Sequence, residues 1–172
     1  MKKPIFKGSG VAVVTPFTAA GVDFARLAEL CEWHIKHHTD AIIVAGTTGE
    51  ASTMPDDEHL AAVRHVVETV RRRVPVIAGT GSNDTHHAVQ LNVKAAGLGV
   101  DGLLCVTPYY NKTTQQGLFL HFKAIADAVD LPIILYNVPS RTNLNINPDT
   151  LARLSELPNI NGVKECNIEQ AG

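Results

Sequence analysis

The sequence predicts an α/β fold of the (β/α)8 barrel (TIM-barrel) class, truncated after its sixth strand. Three observations lead there. Short apolar runs rich in branched residues recur with starts roughly thirty residues apart, the length of one strand–helix–strand unit. Between them lie apolar stripes with the 3, 4 spacing of a buried helix face. Polar, chemistry-bearing residues follow the runs, at what would be the carboxyl ends of parallel strands.

The six runs are residues 11–14, 41–45, 76–78, 102–106, 133–136 and 162–164. Leu27, Leu30, Cys31, His34 and Ile35 form the first helical stripe, and Leu60, Val63, Val66, Val67 and Val70 the second. Ala88, Leu91, Ala95 and Leu98 form a third, and Phe119, Phe122, Ile125, Ala126 and Val129 a fourth. Asn147-Pro148 reads as an N-cap followed by proline at the first helical position, and Asp84 as the N-cap of the third helix. No linker, charge block or low-complexity segment divides the chain, so a single partial domain is expected over residues 1–172.

Strands alternating with helices require a parallel sheet, either an open doubly wound sheet or a barrel. Polar clusters follow all six runs: Thr15-Pro16, Gly46 to Glu50, Gly79 to Asn83, Thr107 to Asn111, Asn137 to Arg141 and Lys164-Glu165. In a barrel every such end converges on one mouth, whereas in an open sheet only those near a switch point do. That distribution favours the barrel. A complete barrel typically needs ~250 residues, and here six strands and five helices are expected. Six strands leave two open edges. Either this is a fragment of a longer protein, or the chain covers its edges another way.

Composition narrows the function. The 172 residues are 45% hydrophobic and 19% charged, with a formal net charge of -2, so there is no electrostatic case for nucleic acid. The one basic cluster, Arg71-Arg72-Arg73, ends a helical stripe, where cations complement the helix dipole. No run has the length of a membrane span and no signal-peptide core follows Met1. Three widely spaced cysteines, Cys31, Cys105 and Cys166, argue for a reducing compartment and a cytoplasmic protein. His34 and His38 are four apart on a helix, but no further ligand pattern makes them a metal site.

Lys164 carries the chemistry. It is one amine in the short apolar stretch 160–166, and partial desolvation there would shift it toward the neutral form that attacks a carbonyl. Taken singly, a strand-end lysine that snorkels to water is the commoner case. Other strand ends change that balance. Gly46-Thr47-Thr48-Gly49-Glu50 offers a tight turn with two hydroxyls and backbone N–H groups for a carboxylate, and lacks the lysine of a phosphate loop. Tyr136 ends the fifth run and can relay protons beside an amine. Tyr109 and Tyr110 are adjacent and cannot both face one core, so one is expected to meet a neighbour or another subunit. Arg141, in a loop, has the planar fork that suits a second carboxylate. Cys166 is expected as a small core residue beside Lys164.

Four segments in order, Gly46-Thr47-Thr48-Gly49-Glu50, Val106 to Asn111, Leu135 to Thr142 and Gly162-Val163-Lys164-Glu165, resemble the dihydrodipicolinate synthase family. The wider superfamily includes N-acetylneuraminate lyase and other pyruvate aldolases. The resemblance runs from about Phe6 to the C-terminus. It implies a lyase of the diaminopimelate route to lysine, which condenses pyruvate, as a Schiff base, with aspartate semialdehyde and needs no cofactor or metal. By position Lys164 would form the imine, and Tyr136 would donate and accept protons. Thr47 and Tyr110 would complete the relay, Tyr110 across a subunit contact of a homotetramer. Thr48 would bind the pyruvate carboxylate and Arg141 that of the semialdehyde. Members of the family complete the barrel and add a C-terminal helical region, both absent here. The alternatives are a related pyruvate aldolase acting on a sugar acid, or an inactive remnant that docks through open strand edges.

Overall fold

The computed structural model describes residues 2–167. In chain order its elements are β1 (Gly10–Ala12), β2 (Phe17–Thr18), β3 (Gly21–Val22), α1 (Phe24–Lys36), β4 (Ala41–Val44), a 3-10 turn (Ala51–Thr53), α2 (Asp56–Val70), β5 (Val76–Gly79), α3 (Thr85–Ala96), β6 (Gly102–Val106), α4 (Gln115–Ala128), β7 (Ile133–Asn137), α5 (Pro139–Thr142), α6 (Pro148–Ser155) and β8 (Ile160–Glu165). All six expected strands are present. The helices number six among the described residues, because the segment after β7, expected as a loop, winds into the single turn α5. Pro139 at its first position presets the helical φ. The β2–β3 ribbon was also not expected: it pairs Phe17 with Val22 and Thr18 with Gly21 antiparallel and turns at Ala19-Ala20, with none of the usual hairpin dipeptides.

The chain forms two compact units, one of residues 5–79 and 94–102, the other of residues 80–93 and 103–167 with residues 2–4. Single-domain organisation over residues 1–172 remains an expectation that reaches past the described residues at both ends.

In the first unit β1, β4 and β5 are parallel and in chain order, with Val11 opposite Ile42 and Ile43 opposite Ile77. All four residues of β4 are buried, as expected of a strand covered on both faces, so Ala-Ile-Ile-Val shows no polar alternation. Leu27 and Cys31 of α1 and Ala62, Val63, Val66 and Val70 of α2 supply helical cover. Asp23 caps α1 by accepting from Arg26 N at 3.0 Å. Asp56, Asp57 and Glu58 give α2 an acidic first turn that favours its positive end.

The arginine cluster terminates α2. Arg71 and Arg72 adopt left-handed backbone, φ 51° and 58°. Arg73 donates to Thr69 O and Val70 O and forks onto Glu32 at 2.8 and 2.6 Å. These bonds satisfy carbonyls at the helix end.

In the second unit β6, β7 and β8 are parallel and again in chain order, each following a helix. Phe122, Leu118 and Ile125 of α4, Leu154 of α6 and Ile146 pack with Leu103, Ile133 and Leu135 of the strands in a closed core. Asp84 caps α3 as expected, its carboxylate accepting from His86 N and His87 N. Asn147 and Pro148 open α6 as expected. Asn92, fully buried, accepts from Thr80 Oγ1 and Cys105 Sγ and donates to Thr80 O and Ala88 O, so α3 is stitched to Thr80 and to β6.

Two predictions test this packing. A Cβ at Gly79 would lie 2.3 Å from Ala45 O, a backbone atom that cannot swing aside. Gly79→Ala should therefore lower stability by ~1–3 kcal/mol in chemical denaturation. Burial pushes His121 from 6.5 down to about 4, while its Nδ1 shares a 2.8 Å hydrogen bond with Thr85 Oγ1. The unfolded chain therefore takes up this proton first, and stability held above pH 6.5 is lost as the pH falls toward 4. Denaturation curves across that window should show a loss on the order of 2–3 kcal/mol, reduced in His121→Gln.

Candidate functional site

In the second unit the parallel ladder sets Tyr136 of β7 directly opposite Lys164 of β8. Residues at one register on adjacent strands face the same side. The result is an amine lying on a ring: Lys164 Nζ is 4.2 Å from the centroid of Tyr136. That is within cation–π range. Tyr136 is 6% exposed and Lys164 half-buried, so the pair has one dry and one open side. An expected acid–base partner and the expected nucleophile are thus neighbours.

The next residue on each strand, Asn137 and Glu165, pairs on the opposite face. Asn137 is fully buried. Its Nδ2 donates to both Glu165 carboxylate oxygens at 3.0 Å and to Asn145 Oδ1 at 2.8 Å, while its Oδ1 accepts from Ile146 N at 3.1 Å. Asn137 lies in the Leu135 to Thr142 segment, and the resemblance assigns it no role. The partners 8 and 28 residues away that give it one come together only through the fold.

Arg141 lies in α5, not in an irregular loop. Its guanidinium is exposed and has no ion pair or hydrogen bond among the described residues, so it is available to an anion. The turn that carries it is rigid: Thr142 Oγ1 donates to Val138 O and Leu144 O, and Asn143 closes it with left-handed backbone, φ 53°. Tyr110 is 88% exposed on left-handed backbone, φ 72°, a strained setting for an aromatic residue. Asn111 holds that loop by donating from Nδ2 to Asn83 O at 3.1 Å. Tyr109 is half-buried, so the two tyrosines do face different surroundings. Thr107, at the end of β6, is a further candidate: it is fully buried, and its hydroxyl has no hydrogen-bond partner among the described residues.

Thr47 and Thr48 belong to the first unit and stand exposed at the crest of the turn after β4. The turn differs from expectation in its mechanics. Its left-handed positions are Ala45, φ 52°, and Glu50, φ 58°, not the glycines. Gly49 supplies room instead: a Cβ there would approach Thr15 Oγ1 to 3.1 Å and Ala45 N to 3.2 Å. The N–H of Glu50 turns inward to Thr47 O at 3.1 Å and so is not offered to a ligand. Thr15, buried, ties the turn down from Oγ1 to Gly49 O at 2.7 Å.

Two of the three thiols are inert by burial, which pushes Cys31 and Cys105 up to about 11. Cys166, expected in the core, is exposed. It lies one residue past β8, where its N–H still donates to Asn137 O at 2.9 Å. No three His, Cys, Asp or Glu side chains gather to hold a metal ion among the described residues, and no described helix is long and apolar enough to cross a membrane.

Comparison with known proteins adds to this geometry. Residues 5–170 match the model of the dihydrodipicolinate synthetase family. A 4-hydroxy-tetrahydrodipicolinate synthase of Caldicellulosiruptor saccharolyticus is 64% identical over 170 residues, covering 97% of this chain and 58% of the relative. A crystal structure of a dihydrodipicolinate synthase superposes with a TM-score of 0.94 at 46% identity, over 96% of this chain and 58% of that one. The chloride-inhibited enzyme from Acinetobacter baumannii, solved with pyruvate, gives 0.89 at 52% identity over 91% and 54%. The fold is therefore that of a (β/α)8 barrel, of which six strand units are present. The chain spans a little under three fifths of the length of the relatives it matches.

The turn bearing Thr47 and Thr48 can be tested directly. Thr15→Val keeps the shape and leaves the buried Gly49 carbonyl without its donor, so unfolding should become easier by ~1–3 kcal/mol. Unchanged stability would show that water takes over the bond.

Proposed function

This chain belongs to the dihydrodipicolinate synthetase family, and we propose that it carries the catalytic half of an enzyme that condenses pyruvate with aspartate 4-semialdehyde. The product is 4-hydroxy-tetrahydrodipicolinate, on the diaminopimelate route to lysine. One observation carries the reading: the Lys164 amine lies against the Tyr136 ring at the end of two adjacent strands.

The chemistry follows from these groups. Lys164 Nζ adds to the pyruvate keto carbon, and water leaves with the carbonyl oxygen, giving an imine. The imine makes the methyl group acidic, and its loss of a proton gives an enamine. The enamine carbon attacks the aldehyde, whose oxygen takes up a proton to become the 4-hydroxyl. The amine of the semialdehyde then displaces Lys164 and closes the ring. Each step moves a proton near Nζ, which suits a phenol held beside it.

Tyr136 takes the acid–base role, with Thr47 and Tyr110 completing the relay. Thr48 binds the pyruvate carboxylate, and the exposed guanidinium of Arg141 takes the carboxylate of the semialdehyde. Neither metal nor organic cofactor has a step to perform. Tyr110, exposed on strained backbone, suits contact with a second copy in a homotetramer. The enzyme would act in the cytoplasm.

Borohydride reduction in the presence of pyruvate should leave a covalent adduct on Lys164, located by peptide mass spectrometry and abolished in Lys164→Ala. A folded chain that never traps pyruvate would refute the proposal. Tyr136→Phe should slow turnover ~10²–10⁴-fold with pyruvate binding largely kept. Arg141→Ala should raise KM for the semialdehyde; an effect confined to pyruvate affinity would reassign that residue.

A further inference from the structure

The register that places Lys164 on Tyr136 is interrupted below it. Ile133 of β7 faces Ile160, but Ile134 faces Gly162, so β8 carries a bulge at Asn161. A one-residue slip beyond the bulge would turn every later side chain of β8 to the opposite face. Lys164 would leave Tyr136, and Val163 or Glu165 would take its place.

Contacts at the far end of the strand oppose that slip. Glu165 accepts from Asn137 Nδ2 through both oxygens at 3.0 Å, and its Oε1 also accepts from Asn167 N at 2.6 Å. Cys166 N donates to Asn137 O at 2.9 Å. Asn137 is immobilised on its other side by Ile146 N and Asn145 Oδ1. Asn145 also accepts from Asn167 Nδ2 at 3.2 Å, so the segment after α5 and the end of β8 close one hydrogen-bonded ring around Asn137. Among the described residues a carboxylate and a primary amide meet here without a cation, which makes geometry rather than charge neutralisation the ring's product.

We propose that Asn137 and Glu165 form a register clamp: positioning residues that hold the Lys164 amine against Tyr136 from the opposite face of the sheet. The clamp also fixes residues 145 and 146, which follow the turn bearing Arg141, so one buried amide sets the placement of both the amine and the guanidinium-bearing turn. Its value for catalysis rests on the Schiff-base reading above; the clamp itself does not.

Two measurements on the 172-residue chain separate the two. Pulse labelling with acetic anhydride, read by peptide mass spectrometry, reports the accessibility of Lys164 against exposed Lys112 in the same unit. Glu165→Ala should raise the Lys164-to-Lys112 ratio at least about tenfold, the change expected on losing hydrogen bonds to a charged group, while Glu165→Gln, which keeps an acceptor oxygen, stays within about twofold of wild type. An unchanged ratio in Glu165→Ala with a cooperative melt overturns the clamp. So does a rise shared equally by Lys112 and Lys123, since general loosening is then the cause. Trapping with pyruvate and borohydride on the same samples should fall in Glu165→Ala and return in Glu165→Gln. If wild type traps nothing while the labelling ratios behave as stated, the Schiff-base reading fails and the clamp stands.

Discussion

The parallel pairing of β7 with β8 is the constraint on which the candidate site depends. Neither Tyr136 nor Lys164 is unusual as a residue. What makes them a unit is that one ladder brings them to the same register, so that an amine rests on a buried aromatic face. The face behind them is satisfied by an amide and a carboxylate. Chemistry on one side of a sheet is thereby held by hydrogen bonding on the other, in a strand pair only five and six residues long.

The same division recurs elsewhere in the chain. Side chains free to meet a ligand stand on turns whose backbone is already committed. Thr47 and Thr48 crown a turn tied by Thr15, and Arg141 projects from a helical turn closed by Thr142 and Asn143. Arg73, by contrast, is spent on structure: it saturates the end of α2 and grips Glu32. Counting basic residues would not separate Arg73 from Arg141. The difference lies in whether a carboxylate and helix carbonyls are within reach.

Much of this was legible in the chain itself. The six strands and four longest helices followed from apolar period, because burial on both faces leaves runs such as Ala41 to Val44 and stripes such as Val63, Val66 and Val70. The candidate residues Lys164 and Tyr136 were legible from their places at strand ends. The β2–β3 ribbon and α5 were not, since two-residue strands and a four-residue helix are shorter than any period can reveal. The left-handed residues Ala45 and Glu50 were missed because glycine is the usual bearer of that conformation. The bulge at Asn161 and the ring around Asn137 depend on partners distant in sequence, which local pattern does not encode.

The three thiols differ sharply in reach. Cys31 and Cys105 are sealed in the two units, and burial keeps them from ionising near neutrality. Cys166 stands in the open two positions beyond Lys164. A maleimide dye would therefore choose one attachment point without mutagenesis, at the rim of the candidate site. Its emission would then follow occupancy of that rim in real time.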